Sequence, residues 1–285
     1  MSDAAPPSRT GRLTAAVTAF GQMGYNARHR FVRDVRYLGG VGYLVGDTLA
    51  WVVRALVFRR VKLGASALAS QMVRVGVRSI PIVVLIQVFI GIILALQLAP
   101  TLEDYGSLEK VADIIGLAMF RELGPLLSAV VLSGFAGASI AAEIGAMVES
   151  EEIKALRAHA LNPIRFLVVP RLLATVIMMV GLTVVADVVG VLGGLLTSWL
   201  VLDIHPWSYL DNTQVALFYR DFFTGLVKGG VFGVLIAAIA CYEGLNVTGG
   251  AEGVGRATTS TVVKSIVALI ATDCVFTAVF FIFKL

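Results

Sequence analysis

The stretch EIGAMVESEEIKALRAHALNP, Glu143–Pro163, sets four acidic and two basic side chains between two long apolar runs. Composition frames what such an interruption is for. Of the 285 residues, 58% are hydrophobic and 15% are charged, whereas a soluble domain carries about 25% charged residues. Mean hydropathy is +0.87. The chain is therefore expected to be an integral membrane protein. A net charge of +4 would suit nucleic acid, but most basic residues flank apolar runs, where they set membrane orientation. No nucleic-acid partner is expected.

A helix needs about 20 apolar residues to cross the hydrocarbon core. Ile80–Pro100, Ile114–Ala142, Phe166–Leu202, Phe222–Tyr242 and Ile266–Phe283 meet that length. Val41–Phe58 differs, because it contains Asp47 and Arg54 and is flanked on both sides by basic clusters. Spanning would place one cluster on the wrong side, so this segment is read as an amphipathic helix lying in the interface. The predicted organisation is a cytoplasmic segment over 1–40, an interfacial region over 41–79, and a five-span, all-α membrane domain over 80–285.

Counting Lys and Arg orients it. Twelve fall in 1–79, four in 142–172 and two in 243–265, against Lys110, Arg220 and Lys284 at the opposite ends of the spans. The N-terminus and the charged stretch are thus expected in the cytoplasm, and the C-terminus outside. No signal-peptide core precedes them. Cys241 and Cys274 lie in apolar runs and read as small hydrophobes.

Within the stretch, Ser150 is a suitable N-cap, and Glu151 and Glu152 suit the positive end of a helix dipole. Lys154 and Arg157 come nearer the negative end, and Asn162-Pro163 stops the helix. The spacing predicts a short helix over 151–161 with Ile153, Leu156 and Ala160 on one side. Such a helix is either a solvated loop element or a docking element for a groove on another protein.

EIGAM, EEIKAL and NPIRFLVVPR (Asn162–Arg171) resemble the signature of the MlaE family, permease subunits of ABC transporters that move lipids with MCE proteins. FRELGP (Phe120–Pro125), VFIGIILALQ (Val88–Gln97) and GRATTSTVV (Gly255–Val263) extend the resemblance over roughly residues 65–285. It implies an interfacial helix, five spans, a homodimer in a bacterial inner membrane, an MCE-domain protein on the outer side, and a cytoplasmic ABC ATPase. ATP and Mg would be bound by that ATPase, with no cofactor in this chain. The charged stretch would be the coupling helix, with Glu149, Glu151, Glu152, Ile153, Lys154, Leu156 and Arg157 meeting the ATPase.

Ionisable groups inside spans are costly and therefore candidates for function. Arg121 and Glu122 precede Gly124-Pro125, and Lys228 lies in the fourth run at a similar expected depth, so Glu122 and Lys228 are predicted partners. They form either a structural ion pair or the polar wall of a lipid cavity. Asp187 and Asp273 read as lone carboxylates. Leu94, Leu98, Leu102 and Tyr105 make a stripe that either packs on a neighbouring helix or, between two paired copies, lines an apolar lipid pocket. Gly190-x-x-x-Gly194 and Gly229-x-x-x-Gly233 permit close crossings within the chain. GGAEGVG (Gly249–Gly255) reads as a loop.

No GxxxxGK[ST] is present, so the chain does not cradle nucleotide phosphates itself. His29, His159 and His205 are scattered, without metal-ligand spacing. The expected function is a non-catalytic lipid-transport subunit. The alternatives are a lipid-modifying membrane enzyme, which lacks a visible nucleophile–base pair, and a proton-coupled transporter, which lacks a visible inverted repeat.

Overall fold

Long runs of Leu, Ile, Val and Ala leave the backbone polar groups only one another as partners in an apolar medium, which is why they become helices. The computed structural model describes residues 32–33, 35–54 and 65–283; it is 90% helical, with no strand among the described residues. Contacts divide the chain into Met1–Gly46 and Asp47–Leu285. The predicted 1–40 segment lies largely outside the described residues.

Helix α1 covers 35–54. Next come α2 (Ala65–Val75), a 3₁₀ turn (Val77–Ser79) and α3 (Ile80–Asp104). The second run comprises α4 (Lys110–Ala118), α5 (Gly124–Leu132) and α6 (Ala138–Glu149), and α7 (Glu152–Ala158) follows it. Then come α8 (Val169–Leu200), α9 (Pro206–Ala216), α10 (Tyr219–Leu245) and α11 (Gly250–Phe283). Five helical stretches suffice to cross a membrane: Ser66–Asp104, Lys110–Glu149, Ile164–Leu200, Tyr219–Leu245 and Gly250–Phe283. All five overlap the predicted runs, and the first begins well before Ile80. The protein is an all-α, multi-pass membrane protein.

Wide π-type turns join α4 to α5 (Met119–Leu123), α5 to α6 (Ser133–Gly137) and lead into α8 (Ile164–Val168). In the first, the Gly124 N–H donates to the Met119 carbonyl, five residues back. Pro125 follows at once and Pro170 follows the third turn. A proline lacks an N–H and its ring crowds the carbonyl four residues earlier, and widening the preceding turn relieves that clash.

The glycine pairs act within the chain, as expected. A Cβ on Gly193 would lie 2.4 Å from the Val88 carbonyl oxygen, and one on Gly91 would lie 2.0 Å from that of Gly190, so α3 and α8 cross backbone against backbone. Gly229 and Gly233 similarly admit Thr183 and Val176 of α8 against α10.

Three local expectations are corrected. Ser150 does not cap α7; it ends α6, and its hydroxyl donates to Glu152 Oε1 at 3.2 Å. The chain instead enters α7 through Glu151 in the left-handed region (φ 62°) and leaves through Ala160 (φ 58°), giving seven helical residues rather than eleven. Gly249 and Gly250 alone make the turn read as a loop, because α11 starts at Gly250 and includes Gly255. Helix α9 was not foreseen. Pro206 opens it, at a position where a missing N–H costs nothing, and the Trp207 N–H donates to His205 Nδ1. Tyr209 anchors α9 from a fully buried position, its hydroxyl donating to the Val191 carbonyl at 3.4 Å. That burial pushes the Tyr209 phenol above its ordinary range.

Candidate functional site

The site grows from the wide turn Met119–Leu123. Gly225 lets α10 approach this turn so closely that a Cβ there would lie 2.3 Å from the Phe120 carbonyl oxygen. The approach brings three charged groups of two other helices against the turn.

Lys228, 1% exposed, is the centre. Its Nζ donates to Glu122 Oε2 at 2.7 Å and lies 3.0 Å from Asp273 Oδ1. The Thr277 hydroxyl donates to Glu122 Oε1 at 2.7 Å, and the ammonium lies 5.7 Å from the centroid of the Phe280 ring. The predicted Glu122–Lys228 pair is present. Asp273 is not the lone carboxylate expected, because α10 and α11 pack side by side and give it the same lysine. Among the described residues Asp187 stays unpaired: both carboxyl oxygens are buried without a hydrogen-bond partner, against Gly124.

Arg121 turns the other way. It pairs with Asp221 Oδ1 at 2.5 Å, and Asp221 Oδ2 accepts from the Phe218 N–H at 2.9 Å. Asp221 thus closes the first turn of α10 and holds Arg121 with one side chain, as a residue at the third helical position does in a capping box. Sequence reasoning missed this residue. Its signal is an acidic group three positions after the Phe218 boundary, easily read as solvated beside Arg220.

Arg121, Glu122, Thr224, Lys228, Thr277 and Phe280 line one cavity of about 670 Å³, closed in part by Phe281 and Ile282. Its charged side and aromatic side suit an amphipathic molecule with a polar head and an apolar body. Leu94, Leu98 and Leu102 do not reach it. They are half-buried against the cluster of Ala95, Val111, Ile115, Val191 and Tyr209, where α3 meets α4 and α8. Tyr105, at the end of α3, is 79% exposed.

Of the predicted coupling residues, Ile153 is buried, Leu156 half-buried, and Glu149, Glu151, Glu152, Lys154 and Arg157 are exposed. Lys154 Nζ donates to Glu151 Oε1 at 2.6 Å and holds that carboxyl below its ordinary 4.5. Below α7, Glu143 bridges Arg74 of α2 and Arg171 of α8, the latter at 3.1 Å. The EIGAM glutamate is therefore an interhelical tie, not part of the exposed charged face.

The family described as Permease MlaE matches residues 68–279. The chain belongs to the MlaE permease family. A Rickettsia bellii protein named probable ABC transporter permease is 37% identical over 249 residues, 87% of this chain and 95% of that protein. A Synechocystis protein named the same way is 36% identical over 243 residues, 85% and 90% of the two chains. The Arabidopsis thaliana protein TRIGALACTOSYLDIACYLGLYCEROL 1, chloroplastic, is 34% identical over 211 residues, 74% of this chain and 60% of that protein. As an ABC transporter permease of the MlaE family, the chain is a transport subunit and works with an ATPase partner.

Proposed function

We propose that this MlaE permease carries lipids, phospholipids foremost, between membranes, as a homodimer joined by an MCE-domain protein and driven by ATP hydrolysis on a separate subunit. One observation carries the reading: the cavity that sets Arg121, Glu122 and Lys228 opposite Phe280, Phe281 and Ile282. An ion network centred on a buried lysine in an apolar wall is costly to keep, and a zwitterionic or anionic headgroup is a ligand that uses it. The Arabidopsis relative bears the name of a glycerolipid, which supports the substrate class.

Position and charge support the orientation, the second copy and the ATPase contact. The excess of Lys and Arg beside α1, α7 and the start of α11 supports an inner-membrane protein with its N-terminus in the cytoplasm and C-terminus outside. Helix α1 would lie in the cytoplasmic interface. Among the most apolar eighteen residues of the fifth span only 11% are buried within the chain, which supports a second copy or lipid along α11. Exposed α7 would seat in a groove of the ATPase, with Glu151, Glu152, Lys154 and Arg157 setting register.

The test is reconstitution with the ATPase and MCE partners in vesicles, together with mass spectrometry of lipid copurifying with the permease. ATP-dependent phospholipid transfer that falls at least tenfold in Thr224→Trp, which fills the cavity, is the expected result. Absence of copurified lipid together with undiminished transfer in Thr224→Trp overturns it.

A further inference from the structure

We infer that the Trp51 ring and the Arg54 and Arg165 guanidiniums form a second lipid site, which takes the phosphate of an anionic membrane phospholipid as a fixed, non-transported ligand. The site goes beyond the transport cavity, shares no residue with it, and does not depend on the lipid-carrier reading.

Arg54 lies 5.3 Å from the centroid of the Trp51 ring, and Arg165 lies 5.7 Å from the same ring. Arg165 is also 5.4 Å from the Phe166 ring. Both guanidinium carbons thus stand within 6 Å of one ring and at most about 11 Å from each other, so two cations share this one aromatic side chain. Neither arginine has an ion pair or side-chain hydrogen bond with any described residue. A guanidinium over an aromatic face engages that face and leaves its rim of N–H donors for another partner. Two such rims beside one ring match an oxyanion with several acceptor oxygens.

The surroundings select a membrane lipid as the source of that oxyanion. Leu49 and Val53, on the same helix as Arg54, are half-exposed apolar side chains, and Phe166 beside Arg165 is exposed as well. Apolar side chains open to the surroundings next to unpaired arginines fit the boundary between headgroups and acyl chains. Arg165 begins the third span and Trp51 belongs to α1, so the bound phosphate would tie α1 to the bundle. Juxtamembrane arginines also lie where anionic lipid concentrates.

Thermal unfolding of the full chain in detergent, with added phosphatidylglycerol, phosphatidylcholine or inorganic phosphate, tests the site. Phosphatidylglycerol should raise Tm by several degrees more than phosphatidylcholine, and inorganic phosphate should have little effect. Arg54→Gln with Arg165→Gln should remove most of that difference. Arg59→Gln with Arg60→Gln, which removes the same charge nearby in sequence, should keep it. If the Arg54/Arg165 variant does not fold, Arg165→Lys serves instead, because it keeps the charge, loses the planar stack and should halve the preference. Equal loss in both double variants shows only diffuse attraction and overturns the site, as does an undiminished preference in the Arg54/Arg165 variant or in Arg165→Lys. Stabilisation by inorganic phosphate equal to that by lipid overturns the lipid as the ligand, and so does a wild-type protein indifferent to phosphatidylglycerol.

Discussion

Lys228 Nζ stands 2.7 Å from Glu122 Oε2 although 106 residues separate them in the chain. Asp273 shares the lysine at 3.0 Å, so the unit is one cation between two carboxylates. A simple charge swap of Glu122 and Lys228 is therefore not a clean exchange, since a glutamate at 228 would face Asp273. Lys228→Met leaves both carboxylates without their cation and should cost about 3–5 kcal/mol. Glu122→Gln should cost less, because Asp273 still neutralises the lysine. Combining Glu122→Gln, Lys228→Met and Asp273→Asn should restore much of the thermal stability while phospholipid transfer stays lost. Recovery of both stability and transfer would show that the charges serve the fold alone.

Asp221 holds Arg121 and caps α10 at once. Asp221→Ala should lower stability by about 2 kcal/mol, whereas Asp221→Asn, whose oxygen can still accept from the Phe218 N–H, should lose about half as much. Thermal unfolding of the two variants in the same detergent checks the order; an equal cost would assign the whole effect to the ion pair.

At the α3–α8 crossing the obstacle is backbone, which cannot rotate away. Gly91→Ala would place its Cβ 2.0 Å from the Gly190 carbonyl oxygen and should cost about 1–3 kcal/mol. Gly181→Ala on the same α8 meets no described residue within 4 Å and should be close to neutral. Comparing the two by detergent unfolding separates crowding from a general intolerance of substituted glycines.

Helix α7 carries a pH-dependent element. Glu151 has its carboxyl lowered below 4.5 by the Lys154 hydrogen bond. A carboxyl with a depressed value contributes above its unfolded value and loses that contribution as pH falls through the folded one. Amide exchange over Ile153–Ala158 should therefore be unaffected from pH 7 down to about 5 and should speed up, beyond its intrinsic pH dependence, below the ordinary carboxylate range. Glu151→Gln should abolish that acid step. Glu151→Lys with Glu152→Lys should reduce copurification of the ATPase at least tenfold while lipid still copurifies. Full ATPase association in that variant would leave α7 as a solvated loop helix.

The five spans and the Glu122–Lys228 pair were legible in the sequence because lysine and glutamate stand out in apolar runs, and buried charges need partners. Asp273 looked solitary because its partner depends on which helices adjoin, and the periodicity of one run does not reveal that. Thr277 gave no signal at all, since a hydroxyl inside a helix usually donates to its own backbone, and the Asp273 carbonyl 3.0 Å away offers that ordinary partner. Ser150 carried the right local chemistry for a cap. However, α6 continues to Glu149 and consumes it as a terminus, so the left-handed Glu151 has to make the turn. The leucine stripe was correctly periodic, but its packing partners come from α4 and α8 in a cluster that Tyr209 of α9 completes, and α9 itself hides behind a single proline.

The wide turns at Met119–Leu123 and Ser133–Gly137 also change how this span is to be read against its relatives. Each takes in one residue more than a regular helical turn, and so offsets everything beyond it by about 100° of rotation. Between Lys110 and Glu149 the helix is three phased segments, and no single wheel projection describes it. Deleting one residue inside Met119–Leu123 would leave hydrophobicity almost untouched, yet it would swing the Arg121 and Glu122 side of the span away from α10 relative to α5 and α6. In this stretch, residue count is thus a structural parameter in its own right, and length differences of one among homologues mark a change of facing as surely as a substitution does.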